Sequence, residues 1–224
     1  MTGSSLYQSH RSLLGEDMWA ALLRLVPERQ RETRSVLLRQ GDPATHVLVL
    51  CSGSAAVTRR DGHGQRTLLA VRGAGELLGE LSLLDGGVRS ATVIAAEPCR
   101  VHTVPAPTFE TFINEYGALP ALARHAVGRI RESEEIRQEL ATASVAARLA
   151  SALLRLAIAS QGPADRPVVI RLTQEELAQL IGASRNSVVQ ALAPWRSAGW
   201  IRTAPGGGLL LECCEGLRAV VAKR

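Results

Sequence analysis

The 224-residue chain has no run of about 18 apolar residues, the length a helix needs to span a bilayer, so the sequence offers no transmembrane segment. Its first fifteen residues hold neither a basic start nor an apolar block, and no secretory signal is expected. Aromatic residues are scarce, at 3% against 46% hydrophobic, which predicts an aliphatic core and excludes a disordered chain. The four cysteines, Cys51, Cys99, Cys213 and Cys214, contain no C-x-x-C pair. That favours reduced, buried thiols in a cytoplasmic protein over a disulfide frame or a zinc site. The five histidines, His10, His46, His63, His102 and His125, are dispersed, with no nucleophile elbow or metal spacing beside them. Neither a catalytic residue nor a bound metal is therefore expected.

What is present begins with an asymmetry of charge. Residues 1 to 143 carry 16 Lys+Arg against 16 Asp+Glu, whereas residues 144 to 224 carry 10 against 5, so the formal charge of +5 belongs wholly to the C-terminal part. That is the part to suspect of touching nucleic acid.

The most informative stretch runs from Gly75 to Val93. Gly79-Glu80-Leu81-Ser82 reads as a tight turn entering a short helix, whose first backbone N–H groups are free to face an anion. Ten residues after Gly79 come Arg89 and Ser90, a guanidinium able to grip a phosphate through paired charge-assisted hydrogen bonds and a hydroxyl to add another. An acid at Glu80 fits beside a phosphate if it accepts a hydrogen bond from a sugar hydroxyl. An isolated Arg89 would be read as the partner of an acid such as Asp85 on a solvated loop; the whole pattern in register points instead to a nucleotide.

Short β-rich runs at 35–38, 47–50, 55–58, 67–71, 91–95 and 99–104, separated by glycine turns, predict a compact antiparallel barrel or roll around that stretch. A helix is expected before it, from Glu16 to Val26, with Trp19, Leu22, Leu23 and Val26 at helical spacing. After it come a short helix from Thr108 to Asn114 and a long one from about Pro120 to Ala143. Leu122, Ala126, Arg129, Ser133, Ile136, Leu140 and Ala143 alternate along the long helix in steps of three and four, the spacing of a coiled-coil seam. A hinge is expected near Thr142-Ala143-Ser144, then a helix from Val145 to about Ala159, a loop over 160–167, and a strand at 168–170. In Leu172–Ile201, Thr173 and Glu176 have capping-box spacing, Gly182 ends one helix and Ser184 caps the next. This is a helix-turn-helix layout whose second helix presents Arg185, Asn186, Ser187, Val189 and Gln190 outward. Pro194 is expected to end or kink that helix. Residues 200–202 and 208–211 read as the two strands of a wing.

The Gly79–Ser82 and Arg89–Val93 pattern resembles the phosphate-binding cassette of cyclic-nucleotide-binding domains, and with Leu172–Ile201 the chain resembles the CRP/FNR family of bacterial transcription regulators from about residue 16 to residue 212. The resemblance implies an α+β fold with an N-terminal antiparallel β-roll of the jelly-roll kind, a dimerisation helix and a C-terminal winged helix-turn-helix. Residues 1–15 would be a flexible tail, 16–118 the roll, 119–143 the dimerisation helix and 144–224 the DNA-binding domain. It implies that Gly79, Glu80, Leu81, Ser82, Arg89 and Ser90 bind the nucleotide, Glu80 at the ribose 2′-hydroxyl, with Arg129 and Ser133 reaching the base. Glu134, also expected among the nucleotide-binding residues, departs from the small polar residue of the best-known members; cyclic AMP is the expected effector, with cyclic GMP, another ligand or no ligand requirement as the alternatives. Thr173, Ser184, Arg185, Asn186, Ser187, Val189, Gln190 and Arg202 are the implied DNA contacts. Arg185, Asn186 and Gln190 stand where the best-known activators have arginine, glutamate and arginine, so a different operator is expected. The implied partners are a near-palindromic DNA duplex, a second copy of the chain and RNA polymerase. The lack of an N-terminal cysteine cluster argues against an iron–sulfur member of the family. A cyclic-nucleotide module that regulates a partner protein is the competing reading.

Overall fold

The computed structural model of the chain describes residues 8–160 and 167–222. It opens with two helices, α1 (His10–Leu14) and α2 (Glu16–Arg24). Ser9 caps α1 by accepting a hydrogen bond from the Ser12 N–H, and His10 and Leu14 are buried, so part of the stretch expected to be a loose tail is a fixed element. A five-residue helix is too short to show a hydrophobic period; α1 is held by tertiary contacts such as the Arg11 N–H to Gly75 C=O bond at 2.9 Å. The first seven residues of that tail lie outside the described residues. On α2, Trp19 and Leu22 face inward as their spacing predicts.

The strands follow as β1 (Glu28–Arg31), β2 (Val36–Leu38), β3 (His46–Ser52), β4 (Ala55–Arg60), β5 (Arg66–Arg72) and β6 (Glu76–Leu78). After the short helix α3 (Glu80–Leu84) come β7 (Thr92–Ala95) and β8 (Cys99–Pro105). They form two four-stranded antiparallel sheets in the orders β1-β8-β3-β6 and β2-β7-β4-β5, which is the expected roll. Side chains of β3 alternate between two cores: Val47 and Val49 pack with Trp19, Leu22, Phe109 and Phe112, and Leu48 and Leu50 with Leu38, Leu78 and Val101. Both faces of β3 are covered, which is why its sequence is an unbroken apolar run. Cys99 is buried, whereas Cys51, Cys213 and Cys214 are only partly so, and all are free thiols.

Two helices leave the roll, α4 (Ala106–Tyr116) and α5 (Leu119–Thr142). At 24 residues α5 is about 36 Å long. The row of residues expected to form a seam faces the chain's own roll at its start, where Ala121, Leu122 and His125 are buried. Of the apolar side chains that α5 exposes, Leu140 (42%) belongs to that row, whereas Leu119 (54%), Val127 (47%) and Ile130 (60%) lie off it. Ala143 is extended (φ −94, ψ 149) and Ser144 caps the following helix, α6 (Val145–Ala159), at the place where a hinge is expected.

The rest of the chain is β9 (Val168–Ile170), α7 (Gln174–Leu180), α8 (Arg185–Ser197), β10 (Ile201–Thr203), β11 (Leu209–Leu211) and α9 (Cys214–Ala222). The three strands make an antiparallel sheet in the order β10-β11-β9, so the wing has a third strand. Residues 161–166 of the preceding loop lie outside the described residues. The capping box at Thr173 and Glu176 is formed in both directions. Pro194 does not end α8, which continues to Ser197. Buried Trp195 anchors its last turn, and the Pro194 carbonyl still accepts from the Ala198 N–H at 2.9 Å. Among the described residues no helix is long and apolar enough to cross a membrane.

The roll and the C-terminal part share one core. Ala56 of β4 and Leu68 of β5 belong to the cluster built on Leu149, Leu153, Leu177, Val188 and Leu192. Gln179 of α7 accepts from the Leu68 N–H at 3.2 Å.

A glycine inside α9 supplies a test of this packing. Gly→Ala in a helix ordinarily stabilises, but a Cβ on Gly216 would overlap the indole ring of Trp200. Gly216→Ala is expected to destabilise the protein by about 1 to 3 kcal/mol, read as a lower Tm in thermal unfolding.

Candidate functional site

The cassette is shaped by one buried cation. Arg89 is 3% exposed, and its Nη1 donates to the Gly79 carbonyl oxygen at 2.6 Å while Nη2 donates to the His46 carbonyl oxygen. Its backbone is clamped as well, with the Arg89 N–H on the Asp42 carbonyl at 2.9 Å and the Gly41 N–H on the Arg89 carbonyl at 2.8 Å. Burial pulls the guanidinium pKa down, and the negative charges of Glu80 and Asp42 pull it back up. Gly79 caps α3 in the left-handed region (φ 86, ψ 6), and a Cβ there would lie 2.5 Å from Arg89 Nη1. Only glycine brings the turn this close to the guanidinium.

Around this turn lies a cavity of about 200 Å³. Gly79, Glu80, Leu81, Ser82, Arg89 and Ser90 line it from the roll, and Arg129 and Ser133 line it from α5. Eight of the expected ligand residues, from two stretches of the sequence, are thus brought to one cavity. Glu134 is not: it is exposed on α5 and outside the lining. Leu38, Val57, Leu78 and Val93 supply an apolar side, the surface a flat base or sugar needs. Arg72 and His125 also line the cavity, and nothing local in the sequence singled them out.

Beside the cavity is a cluster that sequence spacing did not suggest. Glu76 is 1% exposed and its Oε2 lies 2.7 Å from His10 Nδ1, 3.0 Å from His125 Nε2 and 3.5 Å from Arg129 Nη2. Burial raises the Glu76 carboxyl, but the close polar contacts of His10 and His125 and the charges of His10 and Arg129 outweigh it, leaving the group well below the usual carboxylate range. Burial lowers His125, against the opposing pull of Glu76. The guanidinium of Arg129 also pairs with Glu132 at 2.7 Å, so its charge is matched at the cavity edge. His46 is lowered by burial and by the charge of Arg89.

The second candidate surface is the start of α8. Ser184 caps it, accepting from the Ser187 N–H at 3.1 Å, and Ser184 Oγ also lies 2.8 Å from Ser187 Oγ. Arg185, Asn186, Val189 and Gln190 are exposed, while Val188 and Leu192 are buried beneath them, so the amphipathic split predicted from the sequence is present. Thr173, at the start of α7, is exposed but its hydroxyl is engaged in the cap. Arg202 on the wing has a 70% exposed side chain and a loose contact with Glu212 at 3.7 Å. A solvent-facing helix start with an arginine, an amide and a second amide can address base edges in a major groove.

Comparison with known proteins matches two stretches of the chain. Residues 28–116 match the cyclic nucleotide-binding domain family, and residues 147–220 the Crp-like helix-turn-helix domain family. The chain is 32% identical over 181 residues to a CRP-like cAMP-activated global transcriptional regulator of Mycobacterium tuberculosis, covering 80% of each. It is 32% identical over 171 residues to the cyclic AMP receptor protein of Thermus thermophilus, covering 75% of this chain and 76% of the other. Among solved structures, FixK2 from Bradyrhizobium japonicum superposes with a TM-score of 0.73 at 17% identity, over 88% of this chain and 97% of that one. A transcriptional regulator of the CRP/FNR family from Thermus thermophilus gives a TM-score of 0.68 at 24% identity, over 88% and 98%.

The geometry of the turn makes a direct prediction. Gly79→Ala, which drives a Cβ into the guanidinium, and Arg89→Leu, which removes it, are both expected to abolish binding of a cyclic nucleotide in calorimetry. Circular dichroism should show the fold retained in both, and unchanged affinity in Arg89→Leu would separate Arg89 from the ligand.

Proposed function

Since the chain belongs to the CRP/FNR family of transcription regulators, and is a DNA-binding regulator with a cyclic-nucleotide-binding domain and not an enzyme, we propose that it is a homodimer switched by cyclic AMP. The observation that carries this is the shared cavity: the cassette of the roll and Arg129 and Ser133 of α5 face the same space. A ligand there touches both the domain that holds it and the helix that leads to the DNA-binding part.

In this reading the remaining N–H donors of Arg89 and the hydroxyl of Ser90 hold the cyclic phosphate, and Glu80 accepts from the ribose 2′-hydroxyl. Arg129 and Ser133 turn toward the base. The relatives named as cAMP-activated favour cyclic AMP over cyclic GMP. The exposed apolar residues Val127 and Ile130 of α5 support pairing with a second copy through that face. Glu134 follows Val127 and Ile130 at helical spacing, so in such a pair it stands at the seam. The break at Ala143 and Ser144 then transmits a change in α5 to α6 and the helix-turn-helix. The ligand acts by binding one arrangement better than the other, which is a population shift. The paired α8 helices read a near-palindrome with half-sites about 10 base pairs apart, or a multiple. RNA polymerase is the partner at the promoter and the cytoplasm the compartment, both by the family's example.

Titration with cyclic AMP and with cyclic GMP tests the effector, and selection of operators from a random library tests the reader. Arg185 is expected to select a guanine, and Asn186 and Gln190 to draw neighbouring positions toward adenine. Arg185→Ala should cost about 1 to 3 kcal/mol and relax one position, whereas Arg202→Ala should weaken all sequences alike and flatten the salt slope. Recovery of no symmetric site, or an unchanged guanine preference in Arg185→Ala, would overturn this assignment.

A further inference from the structure

His10, Glu76 and His125 come from three elements that are far apart in the chain: α1, the start of β6, and α5. All three are buried, at 1%, 1% and 4% exposure. One ligand atom from each lies within 4.8 Å of the others. The two imidazole rings stack with centroids 3.4 Å apart and planes 28° from parallel.

Hydrogen bonds among the described residues leave two imidazole nitrogens of this cluster without a partner. His10 Nδ1 receives the Leu77 N–H at 3.1 Å, which requires a lone pair, and it also faces Glu76 Oε2 at 2.7 Å, which requires a proton. One nitrogen cannot meet both demands in one tautomer. His10 Nε2 is fully buried with no hydrogen-bond partner among the described residues. His125 Nε2 is buried too, and although it lies 3.0 Å from Glu76 Oε2 it is not aimed to form a hydrogen bond there. Buried nitrogens left in this way are costly, and native structures usually give such groups a partner. A positive ion held by the two Nε2 atoms supplies the partner each lacks, and it fixes the tautomer of His10 with the proton on Nδ1, where it faces Glu76 Oε2.

We propose that His10, Glu76 and His125 bind one divalent transition-metal ion of the zinc class. Two imidazole nitrogens and one carboxylate oxygen are a borderline donor set that suits zinc and its neighbours, and three protein ligands leave a position open. Calcium and magnesium, which take oxygen ligands, are disfavoured. The local charge permits the ion. Arg129 is 3.5 Å from Glu76 but is paired with Glu132 at 2.7 Å, and Glu80 Oε1 brings a second carboxylate to 3.6 Å from His10 Nε2. The ion ties the N-terminal helix to the roll and to α5. It sits beside the ligand cavity, whose lining includes both His125 and Glu80.

The test uses the full chain, stripped with a chelator and free of nucleotide and DNA, so its outcome is independent of the effector and operator assignments. Calorimetric titration with Zn2+ is expected to give one ion per chain, with no competition from excess Mg2+. His10→Gln and His125→Gln should each weaken binding by at least about 100-fold and remove the rise in Tm that Zn2+ gives the wild type. His63→Ala, at an exposed histidine, should leave binding unchanged. So should Cys51→Ala, which opens the other group of potential ligands, Glu28, Cys51 and His102. If a histidine variant fails to fold, imidazole nitrogen NMR on the wild type decides the matter: two of the five histidines, His10 and His125, should shift in step with one equivalent of Zn2+. Absence of stoichiometric binding, binding that survives in the double histidine variant, binding lost in Cys51→Ala, or shifts at other histidines would each overturn the proposal.

Discussion

A buried cation must be surrounded by oxygen, and the nucleotide-binding half of this chain is arranged around that requirement at Arg89. The guanidinium is taken out of water and met by the carbonyls of Gly79 and His46, with Asp42 and Glu80 as the nearby negative charges. Each neighbour then has its shape dictated. Gly79 must be glycine because the carbonyl comes close only in a left-handed turn, and that turn sets the start of α3 and the direction of Glu80. The clamp between Gly41, Asp42 and the Arg89 backbone fixes the side chain from behind. The guanidinium is thus oriented in advance, and a phosphate bound there as proposed would need little further ordering.

The same physics explains what the sequence could and could not reveal. The cassette was legible because glycine, glutamate, arginine and serine act within a dozen residues and each type has a distinct chemistry. The helix-turn-helix was legible for a similar reason: Thr173, Glu176, Gly182 and Ser184 are local signals whose caps form as their spacing requires. Elements held by tertiary contact were not legible. β1, Glu-Arg-Gln-Arg, is exposed along its whole length and shows no alternation; it is a strand because its backbone pairs with β8. α1 is too short for a period, and α9 carries only one buried residue, Leu217. His10, Glu76 and His125 meet only after the roll has closed on α5, so five dispersed histidines gave no hint of them. The alternation along α5 was real, but periodicity alone does not say which neighbour a face meets, and Leu122 is buried in the chain's own roll.

Between the two sites the chain is continuous in packing. The β4–β5 hairpin contributes Ala56 and Leu68 to the core of the helix-turn-helix part, and Gly73 lies so close to the Ala159 carbonyl that a side chain there would overlap it. Arg72 of the same hairpin lies 3.7 Å from Glu132 of α5, and Arg155 of α6 lies 3.1 Å from Glu139. The face of α8 with Arg185, Asn186 and Gln190 stays exposed while α7 is engaged with the hairpin. A rearrangement at the cavity therefore has a packed route, through α5 and the hairpin, to the helix-turn-helix part.

The most direct test of that coupling is thermodynamic. Operator affinity is measured with and without saturating cyclic AMP, and cyclic AMP affinity with and without saturating operator, on the same full-length protein at fixed salt. Each ligand is expected to tighten the other by the same factor, in the range of about 5 to 150-fold typical of allosteric proteins. Equal operator affinity in the presence and absence of the nucleotide would contradict it.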